Sequence, residues 1–547
     1  MERIARTNDS VLDALIRVIE SRHVTKIKQG TLDQFAGEPR LKYLALTCME
    51  YSSAKVSAES SNGPAAIVED NLTNPRNPDR FVYSNVGVGT KGGHGLNQSM
   101  FQIPSKGGIR LLQRKTERHL DEAIEEAADE YYDWAKLDRR YTNNVFVPNL
   151  IEVPQVRSID DKVNKKILPL DRLRKLAKEC AQELSRGGNY GITTIEVHEE
   201  VRRMANSEGT VIRDGFFGYM ISFEIETRGN FNEVLVFNDG LYSMDKEFSD
   251  REVTRLINRA KWMSREVNKR KEHSGVITEG LYPTLLTPDA MCVPLHEALV
   301  HFLSSDEILN GDSKSWGWEN FGRVCTNPHI SVYSNPNMEN RWGSMEHDYE
   351  GVPAKRRTLI ENGMPVGYLA DRNGAFHLSR LTGKTILPGD SRIGYPRDCS
   401  DATSEPRVSN MEVRYDDPNS ASSLEELRNR FLKYMKKNGH KTGIVIPRSS
   451  SGWCEDDGIL QSSFQLAYAI DQRGNMTPVR YLSTKMDLFS MLNNIVEMGG
   501  REEYNPHRCG IDERLVRAGI TCKGAIVDNV HIISERPEGL RQPPLRL

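Results

Sequence analysis

The sequence contains no uninterrupted apolar stretch near the roughly 20 residues that a membrane-crossing helix requires, so a helical membrane protein is excluded. Its opening, MERIARTNDSVLDALIRVIESRH, spreads charges where a secretory signal would carry an apolar block, and a cytoplasmic protein is expected. Charge of one sign is also missing. The 73 Lys and Arg against 76 Asp and Glu leave a formal net charge of −3, which gives no electrostatic footprint for nucleic acid or an anionic membrane. The eight cysteines (Cys48, Cys180, Cys292, Cys325, Cys399, Cys454, Cys509 and Cys522) form no CxxC pair, which argues against a disulfide framework and a zinc ribbon. Most are expected to be buried thiols, with one or two open as ligands. No period of 20 to 50 residues recurs, which sets aside solenoids and propellers.

What is present describes a soluble globular chain. Hydrophobic residues make up 38% and charged residues 27%, with a mean hydropathy of −0.56, enough apolar surface for a real core. A length of 547 residues allows about three to five domain-sized units, or fewer large ones. Apolar residues at helical spacing behind Asn8, Asp9 and Ser10 predict a first helix. Further helices are expected over Ile109 to Leu137, Asp171 to Arg186, Ser249 to about His273 and Ser422 to Lys437. Strand-like runs fill Leu41 to Val88 and the segments ITTIEV, TVIRD, GYMISFEIET and EVLVF. Turns are expected at Asn238-Asp239-Gly240 and Asn362-Gly363, and a loop at Gly92, Gly93 and Gly95. The whole reads as α+β, with an N-terminal α/β domain of mixed or antiparallel sheet over residues 1–275 and a strand-rich domain over 276–547.

The informative segment is YPTLLTPDAMCVPLHEALVHFLSSDEIL, in which His296, Glu297 and His301 form HExxxH. Imidazoles are good zinc ligands, and a neighbouring carboxylate can take a proton from a water whose pKa zinc lowers to about 7. Composition alone would produce a His-acid-xxx-His about 0.04 times per chain. The histidines stand at i and i+5, about 140° apart on a regular helix, so they could share a metal only where the helix widens into a π-turn or breaks. Spacing therefore leaves two readings open: a shared metal on a distorted helix, or one buried and one surface histidine.

HEALVH behind LLTPDA resembles the motif helix of the TldD/PmbA family of zinc-dependent peptidases. The resemblance extends, in the same order, to NSEGTVIR (Asn206 to Arg213), to EGVPAKRRTLIENGMPVGYLADRNGA (Glu350 to Ala375), to Pro406-Arg407-Val408-Ser409-Asn410, and to Arg508-Cys509-Gly510 followed by GITCKG. It implies a zinc ion held by His296, His301 and Cys509, with Glu297 as general base and an open fourth position for water. His507 stands as the runner-up third ligand; Cys454 and Cys522 are expected to be structural. The chain departs from the family in having Val300 where Gly is common, and Ser449-Ser450-Ser451-Gly452-Trp453 in place of a Gly-rich segment.

Arg407 is a candidate for orienting a substrate carboxylate or an oxyanion, with a structural ion pair as the other reading. Asp371, Arg372 and Asn373 are candidates for shaping the same cleft, Asp371 and Asn373 as substrate-binding residues. His198 has no second histidine at a useful interval and is read as a solvated or packing histidine. VGVGTKGGHG lacks the Lys-Ser/Thr of a phosphate loop, and Lys261 to His273 fits a solvated helix face.

The expected function is a zinc metallopeptidase acting on short or unfolded peptides. A homodimer or a heterodimer with a related subunit is implied by the resemblance, with neither nucleic acid nor membrane as partner. The alternatives are a non-catalytic TldE-like subunit that binds peptides or stabilises a partner, and an amidase acting on a small peptide-like metabolite.

Overall fold

A computed structural model describes residues 6–21, 40–61, 63–72, 79–90, 93–103, 108–136, 149–160, 169–229, 234–245, 247–273, 275–311, 318–394, 404–449, 451–454, 459–464, 466–479, 482–511 and 514–534. It is an α+β protein built on two large sheets. The first comprises β1 (Arg40–Ser61), β2 (Ala66–Asp70), β3 (Asp79–Thr90), β4 (Gly93–Ile103), β5 (Arg157–Ile159), β6 (Tyr190–Asn206), β7 (Val211–Arg228) and β8 (Val234–Ser243). Its order is β4-β3-β1-β6-β7-β5, with β2 on β1 and β8 on β7; only the β5–β7 pair is parallel.

Side-chain alternation along β1 divides that sheet's two faces. Leu44, Leu46 and Cys48, then Ala54, Val56 and Ala58, point to one face. There the helices Ser10–Glu20 and Ile109–Lys136 cover one end, and Leu170–Leu184 and Asp250–His273 the other. Asp9 caps the first helix through the backbone N–H groups of Val11 and Leu12. On the opposite face Met49 joins Phe81, Tyr83 and Met100 against Tyr349 and Ile393 of the C-terminal half.

The second sheet carries β9 (Gly280–Leu286), β10 (Ile330–Ser334), β11 (Arg357–Glu361), β12 (Met364–Pro365), β15 (Asn410–Tyr415), β16 (Thr442–Arg448), β17 (Ser451–Cys454), β18 (Ile459–Phe464), β19 (Leu466–Asp471), β20 (Met476–Val479), β21 (Leu482–Asp487), β22 (Ile495–Ile511) and β23 (Arg514–Ser534). The short β13 (Ser391–Arg392) and β14 (Glu405–Pro406) pair with each other apart from it. β23 is the common neighbour of β9, β15, β21 and β22. Among the described residues no helix is long and apolar enough to cross a membrane.

Two sequence expectations are corrected. Asn238-Asp239-Gly240 is not a turn: β8 runs straight through it, pairing Asp239 with Phe223 of β7. Long-range pairing overrides the local turn signal, and the buried Asp239 carboxylate is held by Arg259 at 2.6 Å and by Arg448. Gly93 and Gly95 belong to β4 rather than to a loop, while Gly92 lies outside the described residues. Gly95 serves close packing, since a Cβ there would come within 2.0 Å of the Ala127 carbonyl of the covering helix. The Asn362-Gly363 turn is present, with φ of 50° and 77°.

Polar contacts also join the halves. Arg372 makes a two-pronged pair with Glu208 at 2.8 and 2.9 Å and donates to the Ile151 carbonyl at 2.8 Å. Arg202 pairs with Asp214 and donates to the Asp348 and His347 carbonyls. NSEGTVIR and the Glu350 to Ala375 segment therefore meet across the interface.

Candidate metal centre

β9 delivers the chain to Thr287, which caps the helix Pro288–Leu295 through the Ala290 N–H. Pro294 inside that helix has no N–H for the Ala290 carbonyl, and the Ser449 hydroxyl donates to that oxygen instead at 2.7 Å. The helix then widens: His296–His301 is a π-helical turn. A π-turn accommodates about one more residue per turn than an α-helix, which is what i, i+5 ligands need. The two imidazole centroids lie 5.2 Å apart.

Cys509 reaches the histidines from β22, its Sγ 4.0 Å from His301 Nε2. One ligand atom each from His296, His301 and Cys509 falls within 4.8 Å of the others. Two neutral imidazoles and a thiol able to give up its proton make a donor set suited to zinc. Glu297, 7% exposed, lies 3.6 Å from His301 Nε2. Val300 is fully buried in the core under the turn, so the β-branched residue fits the widened helix.

Burial dominates the electrostatics. It holds His296 well below the usual imidazole range, helped by His507, His301 and Arg407, and brings His301 down to about 4. Both rings are thus lone-pair donors at neutral pH. Burial pushes Glu297 up to about 7, the range in which a carboxyl can both accept and return a proton. It pushes the Cys509 thiol up to about 12, opposed by the charge of Arg407.

The motif opens on a cavity of about 440 Å³ lined also by Phe302, Glu307, Gly452, Trp453 and Arg508. Ser449 and Gly452, from the segment that departs from the family pattern, are used structurally. Ser449 serves the Ala290 carbonyl, and a Cβ at Gly452 would meet Val293 Cγ1 at 2.4 Å. Trp453 is 46% exposed at the rim. Sequence reasoning singled out neither Trp453 nor Arg508 as lining the site. The signals were there, Trp453 in the segment that departs from the family pattern and Arg508 beside Cys509, but neither says which way a side chain faces.

Arg407 is paired with Glu405 at 2.7 Å and Asp306 at 3.1 Å. Asp371 caps the helix Arg372–Thr382 by accepting from Gly374 N–H at 2.6 Å, and Asn373 accepts from Asn149 N–H at 2.8 Å. None of these three lines the cavity. His198, for which the sequence leaves a solvated or a packing role open, is buried and contacts Tyr51 and Trp342, 3.4 Å from Arg508. Cys522 is fully buried beside the Pro288 carbonyl, and Cys454 lies on the cavity wall.

Residues 279–534 match a family model described as the PmbA/TldA metallopeptidase C-terminal domain. Similar curated proteins include a metalloprotease of Methanothermobacter thermautotrophicus, 25% identical over 44% of this chain and 47% of the relative. A metalloprotease TldD homolog of Haemophilus influenzae is 29% identical over 42% and 48%. A zinc metalloprotease TldD homolog of Saccharolobus solfataricus is 25% identical over 40% and 43%. The chain thus spans less than half the length of these relatives. Among solved structures, TldE of Thermococcus kodakarensis superposes with a TM-score of 0.56 at 15% identity, covering 90% of this chain and 96% of that one. At that identity the likeness is one of fold.

Proposed function

We propose, from the match of residues 279–534 to the PmbA/TldA metallopeptidase C-terminal domain, that the chain is a zinc metallopeptidase hydrolysing short or unfolded peptides. The observation that carries this reading is the convergence of His296, His301 and Cys509 within 4.8 Å beside the Glu297 carboxyl. In this reading His296, His301 and Cys509 hold the ion. Zinc bound there would supply a Lewis acid and an activated water at neutral pH. Glu297 accepts the proton of the attacking water and returns it to the leaving amine. The ion pairs of Arg407 fix a positive charge toward Cys509, favouring its thiolate. Asp371 and Asn373 support the cleft from behind by holding the segment that carries Arg372. Residues 1–275 act as the supporting domain and 276–547 as the catalytic one, in a homodimer or a heterodimer with a related subunit.

The test has two stages. Elemental analysis of the unmodified protein is expected to find near-stoichiometric zinc, and Cys509→Ala to lose most of it; an unmodified protein that takes up no zinc when supplied with it refutes the reading. Glu297→Gln is then expected to keep its zinc and its fold while peptide hydrolysis falls about 100-fold or more. Unfolded peptides and small amides assayed side by side separate a peptidase from an amidase of small metabolites.

A further inference from the structure

His507 was weighed from sequence as a third metal ligand. The geometry gives it another role. It lies on β22, two residues before Cys509. The grouping of ligand atoms contains His296, His301 and Cys509 and leaves His507 out. Instead His507 Nε2 meets His296 Nδ1 at 2.8 Å, with the two rings edge to face and their centroids 4.6 Å apart. On the other side of the ring, His507 Nδ1 lies 3.2 Å from the Asn505 carbonyl oxygen.

These contacts fix both tautomers. A carbonyl oxygen only accepts, so His507 Nδ1 carries a hydrogen and donates it to Asn505. A neutral imidazole has one N–H, so His507 Nε2 presents its lone pair. At 2.8 Å one partner must donate, and His296 Nδ1 is the one left to do so. His296 Nε2 is then the lone pair available to a metal. The Cys292 thiol, 3.5 Å from His507 Nδ1 and 3.9 Å from the same Asn505 carbonyl, flanks this contact without reversing it. Metal-binding histidines are commonly oriented by an acceptor on the far ring nitrogen, and the loss of that acceptor weakens metal binding.

We propose that His507 is a positioning residue that orients His296 for metal binding by accepting its Nδ1–H, with the Asn505 carbonyl holding His507 in the required tautomer. The inference rests on the zinc reading above. The zinc content of the unmodified protein tests that reading, and the comparison among His507 variants tests this one.

Zinc affinity is measured by competition with a chromophoric chelator for the unmodified protein, His507→Leu and His507→Gln. Leu fills the space without accepting a hydrogen bond; the Gln Oε1 can accept the His296 Nδ1–H. Leu is expected to weaken zinc binding by about 10- to 100-fold, and Gln to recover most of that loss. The cobalt-substituted proteins supply a second readout. The thiolate-to-cobalt charge-transfer band is expected to persist in both variants, while the ligand-field bands shift in Leu and return toward those of the unmodified protein in Gln. Should Leu fail to fold, as judged by circular dichroism and thermal unfolding, His507→Asn replaces it, because the shorter amide does not reach His296 and carries the same expectation. Zinc affinity in Leu or Asn within about twofold of the unmodified protein overturns the proposal. So does a loss in Gln as large as in Leu. Undiminished zinc affinity in Cys509→Ala that is lost only when His507 is replaced as well would identify His507 as a ligand and overturn it too.

Discussion

At the scale of single residues, the site is governed by charges taken out of water. Glu297 takes up its proton at about 7 in the folded protein against an ordinary 4.5, because burial penalises the carboxylate. Between those values the folded chain binds a proton that the unfolded chain does not, so this group's contribution is complete below 4.5 and lost as pH rises through 7. In metal-free protein the shift amounts to about 3 kcal/mol. Glu297→Gln removes it, so the variant should gain stability relative to the unmodified chain as pH rises from 5 to 8. Urea unfolding of both metal-free proteins at the two pH values checks this, and a constant difference would contradict it. The pair of motif histidines and their glutamate were legible in the sequence because they are contiguous. Cys509 was reached through resemblance. The bond between His507 and His296 was not legible, since it spans 211 residues and depends on the register of β22.

At the scale of elements, the motif helix is shaped by a defect and its repair. Pro294 deprives the Ala290 carbonyl of its helical donor, and Ser449 fills the place from another strand's end. Ser449→Ala should leave a buried acceptor unsatisfied and cost about 1 to 3 kcal/mol in chemical denaturation. A change below about 0.5 kcal/mol would show that the oxygen finds another partner. The widened turn was one of the readings that the spacing left open, because histidines at i and i+5 can share an ion only where the helix widens or breaks. Most helix positions were equally legible from their apolar spacing. The turn assigned to Asn238-Asp239-Gly240 failed because its residues are held in a strand by β7 and by Arg259 and Arg448, all outside the few residues over which a turn signal is read.

At the scale of the whole molecule, the halves are joined by buried arginines whose partners lie far along the chain. Arg372 is 1% exposed, and its Glu208 partner lies 164 residues away. No local pattern announces such a pair. Arg372→Ala should cost about 1 to 3 kcal/mol, chiefly by leaving the Ile151 carbonyl without its donor, since the Glu208 carboxylate is a third exposed and can turn to water. It should also expose the 149–160 segment to limited proteolysis before either sheet unfolds; cleavage rates equal to those of the unmodified protein would place the adhesion elsewhere. The separation of the three candidate ligands has a consequence in time. Cys509 follows His301 by 208 residues. A ribosome adding about 5 to 20 residues per second needs roughly 10 to 40 s to cover that interval. Throughout it the histidine pair exists without its sulfur. If unfolded polypeptide is the substrate, a chain assembled in this order stays without its cutting edge until β22 has been made, and copies still short of that strand are harmless to one another.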